Sequence, residues 1–443
     1  MLSDSLLLSS DLPIPPDWRR LGEHLPYEWI EQALVLTDKA SIRQRRMPAQ
    51  QVVWLVIALA LYRHHSIAEV VADLDLALPG MEERFVTASA ITQARQRLGA
   101  EPLQWLFETS AKAWIAQDSA HAQWHGLQLL AMDGTTLRLP DSQANRAHFG
   151  AANYANDSVA SYPQTRGVTI SMLATQLVLA AHFDAYHVSE MTMAKQLLPQ
   201  IPDQSLTLFD RGFISAELLC ALGRNGQQRH YLIPAKSTTR WIVIEGDADD
   251  ALVEMKVSHA ARKRDPELAL TWRSRAIKVT GPTGRSAYLL TSLTDRRRYP
   301  ATQINACYAR RWQIETSYRE LKHSMLGMAL TLRSQSVAGV QQEIWRAFIA
   351  YNLVRLEIAK AALQAKCAPT DISFVLALHT IQYELMCAAS TQAQGKIPAL
   401  LVRLRQRLVL DLKTQRPGRT FDRVVKTKAQ RYPEVRLKKN LSA

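Results

Sequence analysis

Residues 127–134, Leu-Gln-Leu-Leu-Ala-Met-Asp-Gly, form a short, largely apolar run that stops at Asp133-Gly134. A run of this length and composition reads as a buried strand that delivers one polar side chain at its end. Upstream the period is helical. Ser66-Ile-Ala-Glu69 is a capping box, followed by Ile67, Val70, Val71 and Leu74 at helical spacing. Leu78-Pro79-Gly80 breaks that helix, and a second is expected from Ser89 to Gly99 with Arg95 and Arg97 on its polar side. Helix, break and basic helix suit a DNA-contacting module, although the same pattern is commoner in helical bundles with no ligand.

Downstream, residues 168–173 and 177–183 read as two further strands joined at Thr175-Gln176, and 190–198 as a helix. Residues 206–209 form a strand ending at Asp210-Arg211-Gly212, 214–222 a helix and 230–234 a fifth strand. That order predicts a mixed α/β sheet. Between 236 and 295, β-rich stretches at 241–244, 269–272, 277–280 and 287–290 are separated by turns at 245–247 and 281–284, an inserted antiparallel region. Helices resume from 301 to about 389, and the tail after Lys413 loses periodicity and is expected to be flexible.

A length of 443 residues corresponds to about three domains. Hydrophobic residues at 47% and charged residues at 21% exclude a disordered or collagen-like chain. The longest apolar run, Val52 to Tyr62, has 11 residues, short of the roughly 20 that span a bilayer. Residues 1–10 carry Asp4 and no Lys or Arg, which is no secretory signal, so a cytoplasmic protein is expected. Cys220, Cys307, Cys367 and Cys387 match no metal knuckle or disulfide framework and read as isolated thiols. Net charge is +14, of which +10 lies in residues 401–443, with further clusters at Lys39, Arg43, Arg45 and Arg46 and at Arg296, Arg297 and Arg298. This distribution favours nucleic acid as a polyanionic partner over a membrane, because no basic amphipathic helix with exposed aromatics accompanies it.

Asp133 and Asp210 both end strands, where polar side chains of an open sheet converge on a ligand-binding edge. In residues 308–322, Tyr-Ala-Arg-Arg-Trp-Gln-Ile-Glu-Thr-Ser-Tyr-Arg-Glu-Leu-Lys, one continuous helix sets Tyr308, Arg311, Glu315 and Lys322 within a stripe about 60° wide. Phosphodiester chemistry needs these groups together. Three carboxylates, Asp133, Asp210 and Glu315, can hold two magnesium ions, with manganese able to substitute, while Arg311 forks onto a phosphate and Lys322 adds a point charge.

The chain resembles bacterial insertion-sequence transposases of the DDE class, the family named for insertion sequence 4, whose signature Tyr-x2-Arg-x3-Glu-x6-Lys stands here as Tyr308, Arg311, Glu315 and Lys322. Asp133-Gly134-Thr135-Thr136 and Asp210-Arg211-Gly212-Phe213 resemble its two acidic motifs, and residues 27–99 its amino-terminal helical domain. The resemblance implies an RNase H-like α/β catalytic core interrupted by a β-rich insertion. The expected division is 1–120 helical and DNA-binding, 121–236 and 296–390 the two parts of the core, 237–295 the insertion, and 391–443 a basic segment. It further implies catalysis and metal binding by Asp133, Asp210 and Glu315, and DNA contacts from Tyr308, Arg311, Lys322, Arg319 and Arg211. Trp241 or Trp272 is a candidate to stack on a flipped base, against the competing reading that each is a core tryptophan. The implied partners are double-stranded DNA, as transposon ends and target, and a second copy of the chain in a synaptic homodimer. A nuclease without strand transfer and a regulatory or inactive copy are the alternatives. Among other acids, Glu320 should point away from Glu315, and Glu190 at a helix start has the helix dipole as its competing explanation.

Overall fold

Residues 24–40, 48–73, 87–118, 123–154, 158–280, 286–327, 332–391, 404–405, 407–409 and 435–436 are described by a computed structural model. The chain falls into two units, one of Met1–Trp114, Leu137–Thr165 and Arg319–Ala443, the other of Ile115–Thr136 and Arg166–Tyr318.

The first unit is mostly helical. Its capping box forms as read, with Ser66 N–H donating to Glu69 Oε2 at 2.6 Å and Glu69 N–H to Ser66 Oγ at 3.2 Å. The break expected at 78–80 lies outside the described residues. Thr87 caps the helix Ala88–Leu98, which ends at Gly99 with φ +72°. Arg97 is exposed, but Arg95 is not simply displayed on a polar face: its Nε donates to Gln342 Oε1 at 3.3 Å. Gln342 in turn donates to the Arg95 and Gly99 carbonyls, closing the helix end against Val337–Ala365. That long helix also covers Ala49–Leu61, which is buried on every side and therefore belongs to the core. Val435–Arg436, far into the tail expected to be flexible, pairs as a strand with Ser158–Val159. No helix among the described residues is long and apolar enough to cross a membrane. Cys220, Cys307 and Cys367 are free thiols.

The second unit is built on a mixed sheet. Numbered along the whole chain, the strands are β1 Gln123–Trp124, β2 Leu127–Arg138, β3 Asn153–Tyr154 and β4 Ser158–Val159, the last two within the first unit, then β5 Gln164–Met172 and β6 Val178–Ala185. They continue as β7 Ser205–Phe209, β8 Arg229–Pro234, β9 Ile242–Gly246, β10 Asp250–Lys256, β11 Thr271–Thr280 and β12 Ser286–Thr291. Ten of them form one sheet in the order β6-β5-β2-β7-β8-β12-β11-β10-β9, with β1 beside β2. β2–β7 and β7–β8 are parallel, and β8–β12, β12–β11, β11–β10 and β10–β9 are antiparallel. Every residue of β7 is buried, as a central parallel strand covered on both faces requires.

Several expectations need correcting. β2 does not stop at Asp133 but runs on through the β-favouring Thr135, Thr136 and Leu137 to Arg138. The antiparallel strands between 236 and 295 continue the same sheet, because β12 pairs with β8. The stretches 269–272 and 277–280 are one strand, β11, and the charged segment before it supplies β10 and the helix His259–Arg264. Residues 308–322 are not one helix: Ala301–Ala309 ends, Trp312–Arg319 starts after a tight turn, and Glu320–Met325 is π-helical.

Candidate active site

The pairing of β2 with β7 decides where the first two carboxylates stand. Met132 is in register with Phe209, so one residue further Asp133 comes level with Asp210 on a neighbouring strand about 4.8 Å away. Side chains alternate along a strand, and Leu127, Leu129 and Ala131 of β2 lie in one apolar cluster with Leu206 and Leu208 of β7. Asp133 and Asp210 continue that alternation, so both emerge on the face that Ile304, Cys307 and Ile314 cover. Burying those three residues seats the helices Ala301–Ala309 and Trp312–Arg319, and Glu315 follows Ile314 directly.

Arg311, in the turn between these helices, ties the set together. Its Nη2 donates to Glu315 Oε1 at 3.0 Å, and its Nη1 stands 3.8 Å from Asp133 Oδ2. Burial pushes the Asp133 carboxyl up to about 6; the Gly134 N–H at 2.9 Å and Arg311 oppose this, and the charges of Asp210 and Glu315 add to it. The guanidinium itself, although burial works against its charge, is raised by Tyr308, Asp133, Asp210 and Glu315. Three carboxylates and one cation thus share a single electrostatic field.

Tyr308 is half-buried; its hydroxyl donates to the carbonyl of Phe209 at 3.2 Å, and burial pushes the phenol up to about 12. Arg211, just past Asp210, is exposed. Arg319 and Lys322 belong to the first unit, Arg319 exposed and Lys322 partly buried on the π-helical turn. That turn shifts the helical register, so the stripe of about 60° drawn for a continuous helix does not extend to Lys322. Glu320 is taken up by Arg355 and Tyr351 in the first unit. Asp141 pairs with Arg146, and Asp184 accepts from the Ala185 N–H. Trp272 packs against Val257, Ala261 and Leu268 and lies 6.1 Å from Tyr231, whereas Trp241 makes an edge contact with Tyr288 at 5.2 Å.

Three residues that sequence reasoning missed or set low also lie here. Tyr318 donates to the carbonyl of Asp133 at 2.7 Å and meets the Thr169 hydroxyl at 2.8 Å. Its position three residues after Glu315, on the next helical turn, was the available signal. Glu190 lies over Gly134, where a Cβ would come within 2.3–2.6 Å of its carboxylate. Arg166 is 4.0 Å from Glu190 and stacks on Tyr186.

Hard oxygen donors from three separate elements fit magnesium or manganese by chemistry. Among the described residues no three His, Cys, Asp or Glu side chains already form a ligand cage, and the Arg311 guanidinium is what bridges Asp133 and Glu315.

Residues 15–108 match the family of insertion element 4 transposase N-terminal regions, and residues 124–353 match the transposase DDE domain. The chain is 37% identical over 415 residues to the transposase InsG for insertion sequence element IS4 of Escherichia coli (strain K12), covering 93% of each protein. InsZ of the same organism is 40% identical over 237 residues, 53% of this chain and 78% of that protein. A solved piggyBac transposase synaptic complex with hairpin DNA matches 92% of this chain and 87% of its own, at 11% identity and a TM-score of 0.40. With its DDE domain matched across half its length and near-complete coverage of InsG, the chain belongs to the DDE transposases of the insertion sequence 4 family.

Proposed function

We propose that this transposase binds the terminal inverted repeats of its element and cuts and rejoins DNA through Asp133, Asp210 and Glu315. The observation that carries this is the β2–β7 register, which sets Asp133 beside Asp210, with Arg311 linking Asp133 to Glu315. In this reading residues 121–236 and 296–390 form an RNase H-like core. The order β6-β5-β2-β7-β8, which places the first core strand centrally between a short-turn pair and two parallel strands, supports it. Residues 1–120 serve as the helical DNA-binding domain, 237–295 as the β-rich insertion and 391–443 as a basic segment that holds the duplex. The partners are transposon ends and target DNA, met in the cytoplasm at the nucleoid by a homodimer bridging two ends.

Magnesium, replaceable by manganese, supplies activation of the attacking oxygen and stabilisation of the leaving oxygen when two ions are bound. The chain's own residues do the rest. Asp133, Asp210 and Glu315 would hold the cations, and Arg311 would neutralise carboxylate charge until a phosphate shares its fork. Tyr308, Lys322, Arg319 and Arg211 hold the DNA backbone near the cut, and Trp241 is better placed than the packed Trp272 to receive an extruded base. After water-driven cleavage the freed 3′-hydroxyl attacks, either the opposite strand to form a hairpin or the target.

Asp133→Asn, Asp210→Asn and Glu315→Gln should each abolish nicking of end-labelled repeat DNA while gel-shift binding persists. Undiminished nicking in any one removes that residue from the metal set. Nicking by the unmodified chain without joining of 3′ ends to plasmid would instead identify a nuclease.

A further inference from the structure

Two tyrosine hydroxyls grip backbone carbonyls beside the first two carboxylates. Tyr308 holds Phe209, the residue before Asp210, and Tyr318 holds Asp133 itself. Tyr318 lies outside the four-residue Tyr-Arg-Glu-Lys signature, so no DNA contact is implied for it. A phenol carries one proton, and a carbonyl can only accept. The proton of Tyr318 therefore goes to Asp133, and the Thr169 hydroxyl must donate to Tyr318.

Thr169 is fully buried on β5, which neighbours β2, so it is a fixed anchor rather than a mobile surface group. Tyr318 sits one turn after Glu315 on the helix Trp312–Arg319, its ring against the cluster that includes Ile314. A phenol is protonated throughout the neutral range, so the Tyr318 hydroxyl has its proton to donate. The relay from Thr169 through Tyr318 to Asp133 thus joins the helix bearing the third carboxylate to the strand bearing the first. A core tyrosine whose hydroxyl merely found a partner would be indifferent to what Asp133 and Glu315 bind. This one is bonded to a ligand residue's own backbone.

We infer that Tyr318 is a positioning residue: its hydroxyl, oriented by Thr169, sets the separation of Asp133 and Glu315 and so the affinity of the carboxylate set for divalent cations. The inference rests on the reading of Asp133, Asp210 and Glu315 as cation ligands. Groups that orient metal ligands typically change affinity about 10- to 100-fold when removed.

The test is Mn2+ binding to the DNA-free, full-length chain, followed by electron paramagnetic resonance of the free ion, with thermal unfolding and end binding measured in parallel. Tyr318→Phe keeps the packed ring and removes only the hydroxyl. It should bind Mn2+ about 10-fold more weakly and require correspondingly more Mg2+ for nicking, with unchanged affinity for intact ends. Thr169→Val should weaken Mn2+ in the same direction, and the double variant should be no weaker than Tyr318→Phe alone. If Tyr318→Phe fails to fold, Thr169→Val carries the test. Mn2+ affinity within about twofold of the unmodified chain, whether or not the melting temperature falls, overturns the positioning role. A different failure, Asp133→Asn binding Mn2+ as well as the unmodified chain, overturns the cation reading beneath it.

Discussion

Glu343 shows how much charge one buried carboxylate of this chain manages. Arg63 donates to it at 2.9 Å, Arg346 stands at 3.2 Å, and the N–H groups of Arg333 and Ser334 donate at 2.8 and 3.1 Å. Burial alone would raise its pKa, but Arg346, Arg63 and the Arg333 N–H outweigh burial and hold it below the ordinary value of 4.5. A depressed carboxyl contributes stability that is present above the unfolded value and lost as pH falls through the folded one. Glu343→Gln should cost about 3–5 kcal/mol at pH 7, since it strands buried guanidinium groups. It should also flatten the loss of urea stability that sets in as pH falls below about 4.5; an acid limb as steep as that of the unmodified chain would refute the assignment. Gly134 offers a second test. Its φ lies outside the left-handed region, so alanine fits the backbone, and the three nearest atoms a Cβ would meet all belong to the Glu190 carboxylate. Gly134→Ala should slow nicking by displacing Glu190, and in a Glu190→Ala background the same change should have little further effect. Independent, multiplying losses would show that Glu190 has no part at Asp133.

Arg275 and Asp250 let two strands run through positions whose charges read as strand ends. Arg275 is 1% exposed, forks onto Asp250 at 2.7 and 2.6 Å and donates to the Tyr299 carbonyl at 2.7 Å. In the sequence each looks like a surface charge that ends a strand. Inside the sheet they neutralise each other, so β11 runs unbroken from Thr271 to Thr280 and β10 begins at Asp250. Asp250→Ala should therefore destabilise the chain by about 3–5 kcal/mol in denaturant unfolding, whereas a surface charge would register almost nothing. The parallel strands β2, β7 and β8 were legible because their apolar runs need no partner to be recognised. Asp133, Asp210 and Glu315 could be named from motif and spacing. The register that makes the two aspartates neighbours could not, because pairing between distant strands leaves no local signal. The helix break after Ala309 was hidden for a related reason: no Gly or Pro marks it, and the turn is made by backbone bonds from Arg310 and Arg311 back to Cys307 and Tyr308.

The charge of +14 is concentrated late in the chain, and residues after 413 hold nine Lys and Arg against Asp422 and Glu434. Ending the chain at Lys413 should lower nonspecific DNA affinity and make its logarithm fall less steeply with that of salt concentration. Because truncation also removes the pairing of Val435–Arg436 with β4, Lys438→Glu with Lys439→Glu is the companion variant, and it should move the salt slope in the same direction. An unchanged slope in both would assign the tail to something other than phosphate contact. The division of the chain carries a last implication. The backbone passes between the two units four times, after Trp114, Thr136, Thr165 and Tyr318. A ribosome must therefore synthesise about seven-tenths of the chain before Glu315 exists to join Asp133 and Asp210. Translation halted earlier leaves strands without the third acid; halted between 319 and 337, it leaves the apolar helix Ala49–Leu61 without its long cover and prone to aggregate. On the proposed carboxylate set, DNA cleavage is thereby withheld from polypeptides that stop short of Glu315 by the order in which the parts are made.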